Sequence, residues 1–253
     1  MNILNELRRR NALLYWFGLY NILVGIVCIV LQFTDDTQLL NVSRWLKPMK
    51  FYLSVGLMVW TMNWLLYYLA NKKSIKIYSV LIVLTMFFEN GLILMQAIRG
   101  TTSHFNASSV FNGMVFSMMG LIIVIFTVTS IFIAVSFFRQ KEFNLPPAYV
   151  WGIRLGLVLF IVFSLEGGMM VALLKHTVGG TDGSAGIPVF NWSKQYGDLR
   201  IAHFFGIHSL QVVPLLGYYV AKNKNQLFLY AGIYFIFVAA LFGQAIKGIP
   251  LFF

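Results

Sequence analysis

Long apolar runs separated by short polar segments dominate the chain. A spanning helix needs about 20 mostly apolar residues, because the hydrocarbon core of a bilayer is about 30 Å thick. Seven runs meet this requirement: residues 13–32, 51–70, 77–99, 110–137, 149–175, 200–221 and 226–250. The pattern predicts an all-α fold, a polytopic membrane bundle of seven transmembrane helices that forms a single transmembrane domain over residues 1–253.

The composition agrees with a membrane protein. Hydrophobic residues make up 59% of the chain and charged residues 11%, and the mean hydropathy is +0.77. The net charge of +11 would also suit a nucleic-acid-binding protein. The Lys and Arg residues stand at the ends of the predicted helices, however, where they set topology and meet lipid headgroups. We therefore expect the lipid bilayer as a partner and no nucleic acid.

The orientation follows from the distribution of charges between the two sides of the membrane. With the N-terminus inside, ten Lys and Arg residues fall in cytoplasmic segments and eight on the other side, and most acidic loop residues lie outside: Asp35, Asp36, Asp182 and Asp198. The N-terminus is therefore predicted to be cytoplasmic and the C-terminus extracytoplasmic. The short loops and compact chain favour a bacterial inner (cell) membrane.

Two short echoes indicate an internal repeat. Residues 96–100 read QAIRG at the end of the third predicted helix, and residues 244–248 read QAIKG at the end of the seventh. A weaker echo pairs residues 15–19, YWFGL, with residues 149–153, YVWGI. Together they favour a 3+1+3 arrangement of parallel repeats, as in some transporters. The alternative is that the match arose by chance, because membrane helices are built from few residue types.

Two carboxylates, Glu89 and Glu166, lie inside predicted spans. A charge at the bilayer centre costs about 2.5–3.5 kcal/mol on insertion scales, so such residues usually face the protein interior and carry function. On a regular helix Gln96 and Arg99 lie on the same side as Glu89, toward the outer surface. We expect both carboxylates to exchange protons or orient a ligand. The alternative is that each polar side chain makes its own interhelical hydrogen bond.

The sixth predicted helix carries a second polar stripe. Arg200, His203, His208 and Gln211 project within less than half of its circumference if the helix is straight. Asp198 precedes this helix and is predicted to cap it. All histidines, and many bases including Lys247, lie toward the outer side. We expect a pocket built from the third, fifth and sixth helices, open to the extracytoplasmic side and covered by the Gly-rich residues 176–199.

Three kinds of chemistry could use this pocket. A haem would take a histidine nitrogen of His203 or His208, with Arg99 and Arg200 near its propionates. A divalent metal would bind His104, His203 and His208 with Glu166 or Asp198, although the i,i+5 spacing of His203 and His208 keeps two rings of a straight helix apart. A proton-coupled carrier would use the carboxylates and gather a small anion at the bases.

The leading prediction is a haem-binding or metal-binding membrane protein, with redox activity as a further expectation. The proton-coupled carrier is the alternative, and a structural or assembly factor is the third. The sequence leaves open whether the protein is an enzyme and which oligomeric state it adopts.

Two segments carry a resemblance to known proteins. ENGLILMQAIRGTTSHFN (residues 89–106) and HTVGGTDGSAGIPVFNWSKQYGDLRIAHFFGIHSLQ (residues 176–211) resemble a bacterial family of multi-spanning membrane proteins of uncharacterised activity. The Arg200-x-x-His203 and His208-x-x-Gln211 pattern is similar to the haem-binding helices of membrane cytochromes and haem A synthase. That resemblance implies a haem ligand on one helix, but the paired histidines that those families place on other helices are absent.

Overall fold

The computed structural model describes residues 2–183 and 186–251. The described chain is all-α apart from two small hairpins, in which β1 (Gln38–Leu39) pairs with β2 (Val42–Ser43) and β3 (Thr177–Val178) with β4 (Gly197–Asp198), both antiparallel. The helices are α1 (Ile3–Arg10), α2 (Ala12–Thr34), α3 (Leu46–Leu66), α4 (Lys72–Ile98), α5 (Val110–Arg139), α6 (Pro147–Leu173), α7 (Leu199–Ile207), α8 (Ser209–Leu215) and α9 (Lys224–Ile246), with a π-helical turn at Leu216–Val220.

Five helices are long and apolar enough to cross a membrane: α2, α4, α5, α6 and α9. A sixth span results if α7 and the bent continuation Ser209–Val220 are counted together. The prediction of a helical fold is therefore confirmed, and the five apolar helices support a multi-pass membrane protein. The count of seven is not confirmed, because α3, which covers most of the second predicted span, is long enough at 21 residues but not apolar enough to be counted.

The start of α3 differs from the sequence prediction. The helix begins at Leu46 rather than at residue 51. Its first turns contain Lys47, Pro48 and Lys50, which a hydropathy profile assigns to a loop. Proline is tolerated in the first turn of a helix, since the N–H groups there have no helical acceptor.

The sixth predicted span is not a straight helix, which corrects the angles expected for its polar stripe. Between α7 and α8 the axis bends by 44° at His208. Pro214 lies inside α8 and donates no hydrogen bond to the Leu210 carbonyl, and a π-helical turn follows. Arg200 and His203 therefore belong to one helical segment, Gln211 belongs to the next, and His208 lies at the break.

The chain divides into two compact units, Met1–Ile133 and Ala134–Phe253. In the first unit, α2 and α3 approach closely where three glycines remove side chains from the interface. A Cβ atom on Gly18 would lie 2.2 Å from Trp60 Nε1, one on Gly25 2.6 Å from Leu53, and one on Gly56 2.8 Å from Ile22. Small residues allow such contact between membrane helices, where packing rather than water exclusion drives association.

The N-terminal helix α1 is tied to the end of α3 by its basic residues. The guanidinium of Arg10 lies 3.7 Å from the Trp64 ring centroid and donates to the Trp64 carbonyl. Arg9 and Arg10 also bind the carboxylate of Glu6, at 2.7 and 2.8 Å. These hydrogen bonds hold the pKa of Glu6 at about 2, so the charges of this helix are partly compensated.

In the second unit, glycines play the same part between α6 and the α8 region. A Cβ atom on Gly152 would lie 3.0 Å from Pro214 Cα, and one on Gly156 2.9 Å from the Ser209 carbonyl oxygen. A Cβ atom on Gly217 would lie 2.5 Å from the Ala148 carbonyl oxygen. The backbones of the two helices are therefore in direct contact.

The QAI-R/K-G echo corresponds to the same helix ending in both units. Gly100 and Gly248 have positive φ angles of 69° and 74°. In each case the glycine N–H bonds to the alanine carbonyl three residues earlier, at 3.0 Å, and the following N–H bonds to the glutamine carbonyl five residues earlier. This is the Schellman arrangement, which favours glycine. Helix termination alone therefore accounts for the glycine in both copies.

Candidate functional site

The predicted site residues are divided between the two units. Glu89, Gln96, Arg99 and His104 lie in the first unit, and Glu166, Asp198, Arg200, His203, His208, Gln211 and Lys247 lie in the second. The predicted convergence of Glu89 and Glu166 in one pocket stays a prediction. Within each unit the contacts of these side chains are defined.

Glu89 lies on the buried face of α4, and its side chain is 2% exposed. Both carboxylate oxygens are buried without a hydrogen-bond partner, as is Oδ1 of the neighbouring Asn90. Asn90 Nδ2 donates to Asn21 Oδ1 at 2.8 Å, which links α4 to α2. Glu89 is therefore a buried acid whose oxygens are not used by the fold.

Gln96 and Arg99 lie together at the C-terminal end of α4, on one side of the helix as the sequence predicted. Arg99 Nη1 donates to Gln96 Oε1 and, at 2.9 Å, to Asn112 Oδ1, while Gln96 Nε2 donates to Asn112 Oδ1 at 3.1 Å. The guanidinium lies 4.5 Å from the centroid of the Phe111 ring. Its described partners are neutral amides, so its positive charge is held in place without being cancelled.

His104 is packed against aromatic rings rather than against other metal ligands. Its ring centroid lies 5.9, 6.0 and 6.2 Å from those of Phe51, Phe105 and Phe116. Its Nδ1 atom lies 3.1 Å from Ser103 Oγ. Within residues 2–183 and 186–251, no three His, Cys, Asp or Glu side chains are grouped as metal ligands.

In the second unit, Glu166 and His203 lie where α6 packs against α7. Both carboxylate oxygens of Glu166 are buried without a hydrogen-bond partner. His203 Nδ1 lies 3.0 Å from the Phe163 carbonyl oxygen, so this nitrogen carries the proton. The His203 ring covers Gly167, where a Cβ atom would be 3.3 Å from its Cε1 atom. The second ring nitrogen, Nε2, is thereby left as an acceptor.

Arg200 is neutralised by Asp198. The carboxylate, 1% exposed, accepts from Arg200 Nε at 2.9 Å and Nη2 at 2.6 Å, and from the Ser193 N–H at 2.8 Å. Asp198 also accepts from the Arg200 N–H, which confirms its predicted role as an N-cap. Arg200 Nη2 further donates to the Asn191 carbonyl at 2.6 Å. This pair fixes the Gly-rich loop to α7, and Arg200 has little charge left for an anion.

A second loop carboxylate, Asp182, was missed as a site residue, together with His176. Asp182 Oδ2 lies 2.6 Å from His176 Nδ1, and the carboxylate also accepts from the His176 and Thr177 N–H groups. Burial alone would raise the pKa of Asp182, but the hydrogen bond and charge of His176 hold it below its ordinary value. The signal in the sequence was a His and an Asp on either side of the Gly179-Gly180 turn.

His208 lines an aromatic groove of about 770 Å³. The other lining residues come from α7, α8, the π-helical turn and α9: Phe204, Phe205, Val212, Leu216, Val220, Tyr230, Ile233, Tyr234 and Phe237. His208 Nδ1 lies 3.2 Å from Gln211 Oε1, and the ring is edge-on to Phe204 at 4.5 Å. Because Gln211 Oε1 is an acceptor, Nδ1 donates and Nε2 keeps a lone pair.

The remaining predicted residue, Lys247, is exposed at the C-cap of α9. Comparison with known proteins adds no identification, since no family model, curated protein or solved structure matches the chain. The resemblances to a bacterial membrane-protein family and to haem-binding helices therefore rest on the quoted segments alone.

Proposed function

We propose that the protein binds haem in the aromatic groove of the second unit, where His208 Nε2 would be a ligand to the iron. The observation that carries this proposal is the hydrogen bond from His208 Nδ1 to Gln211 Oε1, which leaves a lone pair on the nitrogen available to iron. Haem proteins use a histidine in this way, and a partner on the other ring nitrogen orients such a ligand. When bound, haem would supply one-electron redox chemistry.

The groove is open along one side, so a flat, lipophilic cofactor would lie with one face against the protein. The groove volume of about 770 Å³ is large enough for a small molecule, and the lining is mostly apolar with a few polar groups, as in typical ligand sites. Phe204, Phe205 and Phe237 supply ring surface against which a macrocycle can pack. The lining residues described include no base, so propionates would have to reach beyond them; Lys222 follows the Val220 end of the groove by two residues.

A titration of the purified protein with haem tests this proposal. The expected result is a saturable, one-to-one absorption band that is distinct from that of free haem in the same detergent. Co-purified material is extracted in parallel and identified by mass spectrometry. Absence of a saturable band, or an endogenous quinone in place of haem, would overturn the proposal.

We further propose that seven helices cross a bacterial inner membrane, with α3 as the additional span, the N-terminus in the cytoplasm and the C-terminus outside. The supporting observation is that α3 has 21 residues and packs tightly along α2 through Gly18, Gly25 and Gly56. The parallel 3+1+3 repeat belongs to the same proposal. Gly18 and Gly152, the glycines of the YWFGL and YVWGI echo, each lie where the first long helix of a unit contacts the second.

Single-cysteine labelling tests this topology. With Cys28→Ser as the background, an impermeant maleimide is expected to label Asp36→Cys in intact cells. Lys73→Cys is expected to react only after lysis, because α3 would return the chain to the cytoplasm. Labelling of Lys73→Cys from outside would show that α3 does not cross.

A second candidate function, a proton-coupled carrier of a small anion, is favoured by the unpartnered carboxylates of Glu89 and Glu166. Acids of this kind inside membranes mark proton pathways. Arg99, held by neutral amides, offers an uncancelled charge for an anion at the outer end of the first unit.

If the protein is such a carrier, Glu89→Gln is expected to abolish pH-gradient-driven uptake into proteoliposomes, because the amide cannot take up a proton. Labelled inorganic phosphate and acetate serve as probes. The matched control is Glu142→Gln, an exposed loop residue, which should leave uptake unchanged. Equal uptake by the wild-type protein and Glu89→Gln would contradict the carrier function.

A further inference from the structure

Four titratable residues lie on the Gly-rich loop, α7 and α6 of the second unit: Asp182, His176, His203 and Glu166. At the loop end, Asp182 and His176 form a close pair at 2.6 Å, with side chains 20% and 22% exposed. Asp182 is held ionised, since its pKa is lowered by His176. An ionised carboxylate on Nδ1 makes the imidazole a better proton acceptor at its other nitrogen and stabilises the imidazolium. This pair can therefore collect a proton from the aqueous surface.

His203 is the next member of the series. The His176 carbonyl oxygen accepts a hydrogen bond from the Leu199 N–H at 3.1 Å, and Leu199 lies about one helical turn before His203 on α7. The Nδ1–H of His203 is fixed on the Phe163 carbonyl, which leaves Nε2 as the nitrogen that can gain and release a proton. The ring lies on Gly167, the residue after Glu166, and a Cβ atom at that position would make a tight contact of 3.3 Å with its Cε1 atom. The absence of a side chain at Gly167 allows His203 to lie against this part of α6.

Glu166 ends the series. Its two oxygens are buried and accept no hydrogen bond. An isolated ionised carboxylate in an apolar setting costs far more than a neutral one, so such groups take up a proton. The neutral carboxyl group of Glu166 makes no hydrogen bond that would stabilise the fold. A path that exchanges protons would require such a group.

The other charged groups around this series are accounted for. Asp198 and Arg200 neutralise each other at the start of α7. Lys175, at the end of α6, donates to the Gly180 carbonyl at 3.3 Å. On α9, which also packs against α7, Lys247 is an exposed C-cap residue. None of these supplies the missing partner of Glu166.

We propose that Asp182, His176, His203 and Glu166 form a proton path from the extracytoplasmic surface to the membrane interior. The neutral carboxyl group of Glu166 gives its proton to His203 Nε2, and His203 passes a proton on to His176. A proton from the aqueous surface returns to the Glu166 carboxylate through the same groups in reverse, with water bridging the gaps between side chains. Only protons move, so no oxidant or reductant is required. The path does not depend on haem at His208. Haem binding is tested by its absorption band, and the proton path is tested by infrared spectroscopy.

Infrared spectroscopy of the full-length protein in lipid nanodiscs tests the path. The C=O band of a protonated carboxyl group is assigned to Glu166 by its loss in Glu166→Gln, and the band of Glu89 by its loss in Glu89→Gln. On transfer to D₂O the Glu166 band shifts as its proton exchanges. Asp182→Asn and His203→Gln are expected to slow this exchange about 100-fold, the size of a typical general acid–base contribution.

The direction and the selectivity of the effect separate a path from a structural role. A loosened loop would speed exchange, whereas a broken path slows it. The Glu89 band serves as an internal reference, and Asp36→Asn, an exposed outer aspartate of the first unit, serves as the matched control; both should show wild-type exchange. Unchanged or faster Glu166 exchange in both variants, equal slowing of the Glu89 band, or absence of a Glu166 band would overturn the proposal.

Discussion

Gly217→Ala is expected to destabilise the second unit, whereas Gly232→Ala is expected to leave its stability unchanged or slightly higher. A methyl group on Gly217 would lie 2.5 Å from the Ala148 carbonyl oxygen and 3.2 Å from Tyr149 Cα. Both are backbone atoms of α6, so no side chain can rotate away and the helices must separate. Overpacking of this kind costs about 1–3 kcal/mol and sometimes more.

Gly232 provides the matched comparison, because the substitution is the same and the position is also helical. A Cβ atom there meets no atom within 4 Å, and Ala is better than Gly in a helix by roughly 0.5–1 kcal/mol. Thermal unfolding in detergent, followed by tryptophan fluorescence, measures the difference. Equal melting temperatures for the two variants would show that α6 and the π-helical turn are not in backbone contact.

His208→Ala is expected to remove haem binding in the titration described above. Loss of the iron-binding nitrogen should weaken binding by about 100-fold or more, beyond the 10–100-fold typical for residues that only orient a ligand. Gln211→Leu should weaken haem binding by about 10–100-fold, because it removes the hydrogen bond that orients the His208 ring but leaves the lone pair on Nε2. Together the two variants separate the ligand from its orienting partner.

His104→Ala controls for the loss of any histidine. His104 lies in the first unit, packed against Phe51 and Phe116, and its replacement should leave the absorption band intact. A full band in His208→Ala would exclude His208 as the ligand, even if the protein binds haem elsewhere.

Much of the fold could be predicted from hydropathy alone. Apolar runs locate α2, α4, α5, α6 and α9 to within about 5 residues, because a backbone in lipid must satisfy its own hydrogen bonds and therefore forms helices. The broken span was not predicted. Pro214 is visible in the sequence, but whether a proline bends, ends or merely distorts a helix depends on the neighbours that accept the freed carbonyl groups.

Only part of the candidate site could be predicted, because its ion pairs depend on contacts between residues. Glu89 and Glu166 stood out because a charge in an apolar run is costly wherever its neighbours lie, and the carboxylate oxygens of both are buried without a hydrogen-bond partner. Arg200 and Asp198 looked like separate functional groups, and only the loop geometry shows that they neutralise each other. Asp182 and His176 looked like loop residues until the turn between them brought their side chains into contact.

The sequence by itself indicated that the protein is surrounded by lipid, that its fold is helical and which residues are costly to bury. Each of these follows from the free energy of transferring individual side chains from water to lipid. The tertiary structure decided which polar groups cancel, which nitrogen of His203 and His208 is left with a lone pair, and where glycines let helices touch. Those features depend on distances between residues that are far apart in the chain. A hydrogen bond or a packing contact forms only when two atoms lie within a few ångströms of each other, and the sequence does not give these distances.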